Sequence, residues 1–266
     1  MYRQCIHRHV FVLHFIHRFY KMAKMSSATK QNDGSVQNAV YTALKSSIIN
    51  LQLKPGTAIS TQEIATKLQV SRTPVREAFI RLQRDALVEM HPQKDTVISK
   101  IDLYRVKQER FVREGLESAI IEYTIQNFTE ADHQALMLII EKQKNNIATT
   151  ANQSEHMSLD NDFHKLLFTI GKQPLSWETI ENLSTHYARV RLLTIWTPDI
   201  AQATIAQHHS IIEAIAQKDV YTARILLKAH LHNLETQIGD MIKQYPDYFA
   251  PDSIPASERF GFLLSQ

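Results

Sequence analysis

The 266-residue sequence is 44% hydrophobic, enough to bury a sizeable core, and its six Gly and eight Pro favour helices over a fold dominated by tight turns. A single cysteine, Cys5, excludes an internal disulfide framework and suits a reducing cytosol, and no apolar run reaches the roughly 18 residues that span a bilayer. The net charge of +3 is unevenly spread: residues 1–36 hold six Lys/Arg against one acid, residues 37–102 nine against six, and residues 103–266 fifteen against twenty. A basic front and an acidic rear point to two domains with different partners, the front one a polyanion.

The first stretch, "MYRQCIHRHVFVLHFIHRFYKMAKMSSATKQNDGS", sets basic residues around "VFVL" in the manner of a signal peptide. His14, His17 and Arg18 interrupt the apolar part, and no small-residue cleavage site follows it. Four of the thirteen His lie here without a metal-ligand spacing. Residues 1–36 therefore read as a disordered or loosely attached extension.

From residue 37 the pattern sharpens. Val40, Leu44, Ile48 and Leu51 recur at helical spacing until "KPG" stops the run. "STQEIATKLQV" starts a second helix at Ser60 or Thr61, with Glu63 at capping-box distance from Ser60 and Ile64 and Leu68 facing inward. After a short break, "SRTPVREAFIRLQRDAL" starts a third: Ser71 can cap it, Pro74 sits in its first turn, and Val75, Phe79, Leu82 and Leu87 form the inward stripe. Arg72 and Arg76, four apart, lie off that stripe with Thr73 beside them. They face either solvent, paired with Glu77 and Asp85, or a polyanion. "ALVEMHPQKDTVISKI" then reads as a β-hairpin, with Leu87-Val88 and Val97-Ile98 flanking a turn at Pro92–Asp95.

Three helices followed by a hairpin make a winged helix-turn-helix, whose second motif helix enters the major groove by its N-terminal residues. "VSRTPVREAFIRLQRDALV", preceded by "EIA" and followed by the wing, resembles the signature of the GntR superfamily of bacterial transcription regulators. That resemblance implies DNA contact by Ser71, Arg72, Thr73 and Arg76, with Lys94 at the wing tip. Two positions depart from the family pattern: Gln62 stands where a basic residue often precedes the glutamate, and Lys94-Asp95 stands where a glycine usually follows the basic residue.

From 103 to about 244 the chain reads as successive amphipathic helices with breaks at "NFT", "GKQP", "TPD" and "KD" and no strand pattern, which predicts an antiparallel bundle, with 245–266 left as a C-terminal tail. Charged and imidazole groups interrupt its apolar faces. Asp160 and His164 are four apart on one face with Met157, Leu167 and Phe168; His230 lies on the stripe of Ala223, Leu226, Leu227 and Leu234; His208 shares a face with Ile205, Ile212 and Ile215. One carboxylate and three neutral imidazoles on three helices suit a divalent transition metal with positions left open for water or an anion. A lone inward histidine is more often a hydrogen-bonded core residue, and spacing alone does not separate His208 from His209.

"SLDNDFHKLLFTIG" and "HHSIIEAIAQKDVYTARILLKAHL" resemble the FCD ligand-binding domain of the FadR-like GntR branch, with "FVREGLESAI" matching its first bundle helix. In register with its pattern, the metal ligands implied are Asp160, His164, His208 (rather than His209) and His230. The ion would be of the Zn, Ni or Mn class. Gln173-Pro174 stands where the family more often has Asn-Pro. The resemblance further implies a small organic acid effector, for which Arg113, Arg189 and Trp196 are candidate contacts. The expectation for the chain is a mainly α, two-domain protein: a winged helix-turn-helix at 37–102 and a helical effector domain at 103–244. It would act as a cytoplasmic, nucleoid-associated homodimer on operator DNA, with no membrane partner. The alternatives are a metalloregulator that senses the ion itself and a metal-dependent hydrolase or lyase.

Overall fold

The computed structural model describes residues 33–91, 95–150, 152–194 and 197–253. They fall into two compact units, residues up to Asp102 with those from Asp247 onward, and Leu103–Pro246.

In the first unit, α1 (Asp33–Ile49), α2 (Thr61–Leu68) and α3 (Arg72–Arg84) pack with a three-stranded antiparallel sheet. Its strands are β1 (Ala58–Ile59), β2 (Val88–Met90) and β3 (Thr96–Ile98), in the order β1-β3-β2. The apolar stripes explain the packing: Val40, Leu44, Ile48, Ile64, Leu68, Val75, Phe79, Leu82 and Leu87 are all buried in one cluster. Ser60 caps α2 by accepting a hydrogen bond from the Glu63 N–H at 3.0 Å. The chain turns from α2 into α3 through Gln69, in the left-handed region at φ 55°, ψ 45°. That conformation costs a non-glycine residue about 1–2 kcal/mol and lets the helix end within one residue.

Sequence and structure differ at several points. The first helix begins at Asp33, inside the stretch read as an extension; residues 1–32 lie outside the described residues. The hairpin gains a third strand, because Ala58 and Ile59 pair with Val97 and Thr96. Two residues are too short to show an alternating pattern. Part of the supposed C-terminal tail is built into this unit: the Ile101 N–H donates to the Tyr248 carbonyl at 2.7 Å, the Ala250 N–H to the Ile101 carbonyl at 2.8 Å, and Phe249 is fully buried.

The second unit is all helical: α4 (Leu103–Asn127), α5 (Glu130–Thr149), α6 (Gln153–Ile170), α7 (Pro174–Leu183), α8 (His186–Thr194), α9 (Pro198–Ala216), α10 (Val220–His232) and α11 (Ile238–Gln244), with a 3-10 turn at Asn233–Gln237. α4 packs on α6, α8 and α10, and α5 packs on α6 and α9. Their apolar faces meet around Ile121, Phe163, Leu167, Phe168, Ile212 and Leu227. Residues 174–196, read as one helix, are broken at Ser184-Thr185 into α7 and α8. The break carries no Gly or Pro; a buried carboxylate stabilises it instead. Glu109 Oε2 accepts the backbone N–H groups of Thr185, His186 and Tyr187 at 3.0, 2.9 and 2.8 Å, satisfying donors that the helix start leaves unpaired. Among the described residues no helix is long and apolar enough to cross a membrane.

Candidate metal centre and DNA-reading helix

α6, α9 and α10 bring Asp160, His164, His208 and His230 together, with one ligand-type atom from each within 4.8 Å of all the others. Asp160 and His164 face the same way because they are one helical turn apart on α6. His164 Nε2 lies 3.2 Å from His230 Nε2 and 3.8 Å from Asp160 Oδ2, and His208 Nε2 lies 3.5 Å from Asp160 Oδ1. Asp160, His164 and His208 are buried and His230 is half-buried. The structure therefore gathers His208, and not its neighbour His209, into the cluster.

The outer nitrogen of each ring has an oxygen acceptor beside it. His164 Nδ1 faces Glu117 Oε2 at 2.6 Å, His208 Nδ1 faces Gln143 Oε1 at 3.2 Å, and His230 Nδ1 faces Gln207 Oε1 at 2.9 Å. An acceptor at Nδ1 favours the tautomer with the proton there, which turns the Nε2 lone pairs inward. Burial pushes all three imidazoles below their usual pKa, His208 and His230 well below, so the neutral form prevails. Three lone pairs and a carboxylate then face one another, and buried His208 Nε2 has no hydrogen-bond partner. Such a set is mutually repulsive by itself and attractive around a cation, so these residues fit a divalent transition metal.

A cavity of about 100 Å³ opens beside the cluster, lined among others by Arg113, Asp160, Tyr187, Arg191, Thr204 and His230. Arg113, expected here, is buried and pairs through Nε with Glu117 Oε1. Burial alone would raise the Glu117 carboxyl, but Arg113 and His164 more than offset it and hold it well below the usual carboxylate range. Arg189 does not line the cavity: it is buried elsewhere in α8, its Nε donating to the Thr185 carbonyl, and burial pushes it down to about 10, with Glu109 opposing. The break at Ser184-Thr185 resets the helical register, and Arg191 faces the cavity in its place. Arg191 holds Asp160 Oδ2 with one guanidinium nitrogen and Asn161 Oδ1, at 2.9 Å, with another. Trp196 lies outside the described residues. Sequence reasoning missed the supporting residues Glu117, Gln143 and Gln207. The available signal was Gln143, a polar residue on the buried stripe of Leu136, Ile140 and Asn146.

In the first unit, Ser71, Arg72, Thr73 and Arg76 are all exposed at the N-terminal end of α3. Ser71 occupies the N-cap position with extended backbone but makes no side-chain cap bond. Asp85, the acid weighed as a partner for the arginines, is taken by Tyr41 and Lys45. Lys94 lies outside the described residues.

A winged helix-turn-helix joined to a helical unit with a buried His/Asp cluster is the architecture of a DNA-binding regulator with a second, helical domain. Profiles of two families match: that of the bacterial regulatory proteins of the gntR family at residues 36–98, and that of the FCD domain at residues 110–233. Together they cover more than half of the chain, which belongs to the GntR family of transcription regulators, with an FCD domain, and is not an enzyme. The hydrolase or lyase alternative is thereby overturned. The HTH-type transcriptional repressor RspR of Escherichia coli is 29% identical over 218 residues, 82% of this chain and 95% of that protein. An HTH-type regulator in an unstable DNA locus of Streptomyces ambofaciens is 28% identical over 247 residues, 91% and 99% of the two chains. The solved structure of E. coli McbR/YncC has the same fold, with a TM-score of 0.65 at 22% identity, over 79% of this chain and 98% of that one.

Proposed function

We propose that the protein is a dimeric regulator of bacterial transcription whose operator affinity responds to a small organic acid, bound beside a divalent ion of the Zn, Ni or Mn class. The observation that carries this reading is the convergence of Asp160, His164, His208 and His230 beside a cavity whose wall includes Asp160 and His230 together with two guanidinium groups, Arg113 and Arg191. The four residues hold the ion, which supplies open coordination positions for an oxygen ligand. Arg113 and Arg191 offer charge-assisted hydrogen bonds to a carboxylate.

At the other end of the chain, α3 of each protomer reads one half of a palindromic operator through Arg72, Thr73 and Arg76, and the Ser71 hydroxyl and helix N-terminus hold phosphate. Lys94 is assigned to the adjoining backbone. The protein works in the bacterial cytoplasm, on the nucleoid, because that is where its operator lies. Effector binding shifts the population between two spacings of the paired reading helices.

The test is native mass spectrometry with metal analysis of the full chain and of His208→Ala/His230→Ala. A dimer with one metal per chain and a co-purified small acid, both lost in the variant, supports the reading. A metal-free wild-type protein overturns the sensory half. DNA affinity that follows metal concentration with no acid present assigns the signal to the metal alone.

A further inference from the structure

The side of α3 turned away from the core is polar but for one residue. Val75, Ala78, Phe79 and Leu82 fill the buried side, while Arg72, Thr73, Arg76, Glu77, Gln83 and Arg84 are exposed. Ile80 stands among them, 39% exposed. At 3.6 residues per turn it lies one turn beyond Arg76 and two turns beyond Thr73, on the same side of the helix as both. Its neighbour Arg81 is engaged with α1, stacking on the Tyr41 ring and donating to Asn38 Oδ1 at 3.2 Å. Core packing, met by the four buried side chains, does not call for a β-branched aliphatic at position 80.

The face that carries Arg72 and Arg76 is the one that enters the major groove in the reading above. From Thr73 to Ile80 the helix rises about 10 Å, less than the roughly 12 Å width of that groove. Thr73, Arg76, Glu77 and Ile80, at intervals of three, four and seven, also repeat the spacing with which homeodomain helices place four side chains on base edges. Isoleucine donates and accepts no hydrogen bond. Pressed on a base edge, it removes water without replacing the hydrogen bonds lost, which is unfavourable against the amino and carbonyl groups of adenine, guanine and cytosine. Thymine alone presents a hydrocarbon group in the major groove, its C5-methyl. We infer that Ile80 is a specificity-determining residue that packs on the C5-methyl of one thymine in each operator half-site. The inference rests on the DNA-reading role of α3 proposed above and adds to it one base identity, read by apolar contact instead of by hydrogen bonds.

The experiment starts from duplexes recovered by selection of random DNA on the full-length protein. Each thymine of the recovered half-site is replaced in turn by deoxyuridine, which removes the C5-methyl and leaves the hydrogen-bonding edge intact, and affinities are measured at fixed salt. The expected result is one position at which the loss of the methyl weakens wild-type binding by about fourfold, the worth of one buried methyl-sized group. Ile80→Ala binds the thymine and uracil duplexes alike at that position, Ile80→Val keeps the discrimination, and Arg76→Ala keeps it while losing affinity overall. Circular dichroism establishes that the variants are folded, and the wild-type comparison needs no variant at all. A selected half-site without thymine, equal wild-type affinity for thymine and uracil at every position, or a methyl effect that Ile80→Ala leaves intact overturns the inference while the arginine readers stand. Failure of the wild-type protein to enrich any sequence overturns the DNA-reading role of α3 and this inference with it.

Discussion

Glu117 Oε2 stands 2.6 Å from His164 Nδ1, with both side chains fully buried and Arg113 on the other carboxylate oxygen. The carboxylate thus faces two ways: it orients an imidazole of the candidate metal centre and neutralises a guanidinium of the cavity wall. Outer partners of this kind typically change metal affinity by about 10–100-fold. Glu117→Gln keeps the volume and removes the charge, so metal affinity should fall within that range and Arg113 should lose its counter-ion. Calorimetric titration of metal into wild type and variant measures the loss; an unchanged affinity would show that Glu117 serves the fold and not the metal.

Metal removal should destabilise the helical unit. A ligand that binds only the folded state stabilises it by about 2.7 kcal/mol at a hundredfold excess over Kd. The melting temperature of wild-type protein should therefore drop on treatment with EDTA and recover on adding Zn²⁺ or Mn²⁺. His208→Ala removes the one ligand nitrogen without a hydrogen-bond partner, and its melting curve should be the same with and without metal.

Glu109 is the helix-start residue that spacing does not reveal. Its carboxylate accepts three backbone N–H groups of the α7–α8 junction and faces buried Arg189. Glu109→Ala strands those three buried donors, at a cost of about 1–3 kcal/mol each. Chemical denaturation should register that loss. A cost under about 1 kcal/mol, the value of an exposed pair, would mean that water replaces the carboxylate.

For the reading helix, Arg76→Ala should weaken operator binding by about 1–3 kcal/mol and relax the preference at one base pair, as for a guanidinium that binds a guanine edge. Affinities for single-base operator variants at fixed salt distinguish this from a phosphate contact, which would weaken every sequence alike and lower the salt dependence.

The helices of the second unit were legible because three or four turns of apolar spacing leave little ambiguity; α4 runs over Leu103–Asn127, the span its pattern predicts. The four residues of the candidate metal centre stood out for the opposite reason, as polar residues out of place on apolar faces, and the fold brings them together. His208 and His209 are adjacent, however, and spacing alone does not choose between them; the register of the family pattern favoured His208, which is the one the fold gathers into the cluster. Arg189 was named as a candidate and Arg191 was not considered, whereas the cavity wall carries Arg191 and not Arg189. The Ser184-Thr185 break has no local signature, because it is held by Glu109, far away in sequence. The two-residue strand Ala58–Ile59 escaped because its order comes from pairing with β3 rather than from its own side chains.

The return of residues 247–253 to the first unit has a practical meaning for anyone dissecting this molecule. The helix-turn-helix half is discontinuous in sequence, its final piece following the whole of the helical half. A fragment cut after residue 102 would look complete by its helix-turn-helix motif, yet it would lack Phe249 and leave the Ile101 backbone groups without their partners. Binding data from such a fragment would describe a partly unfinished domain, and a fusion that joins residues 247–253 to it through a linker should be the better minimal DNA binder.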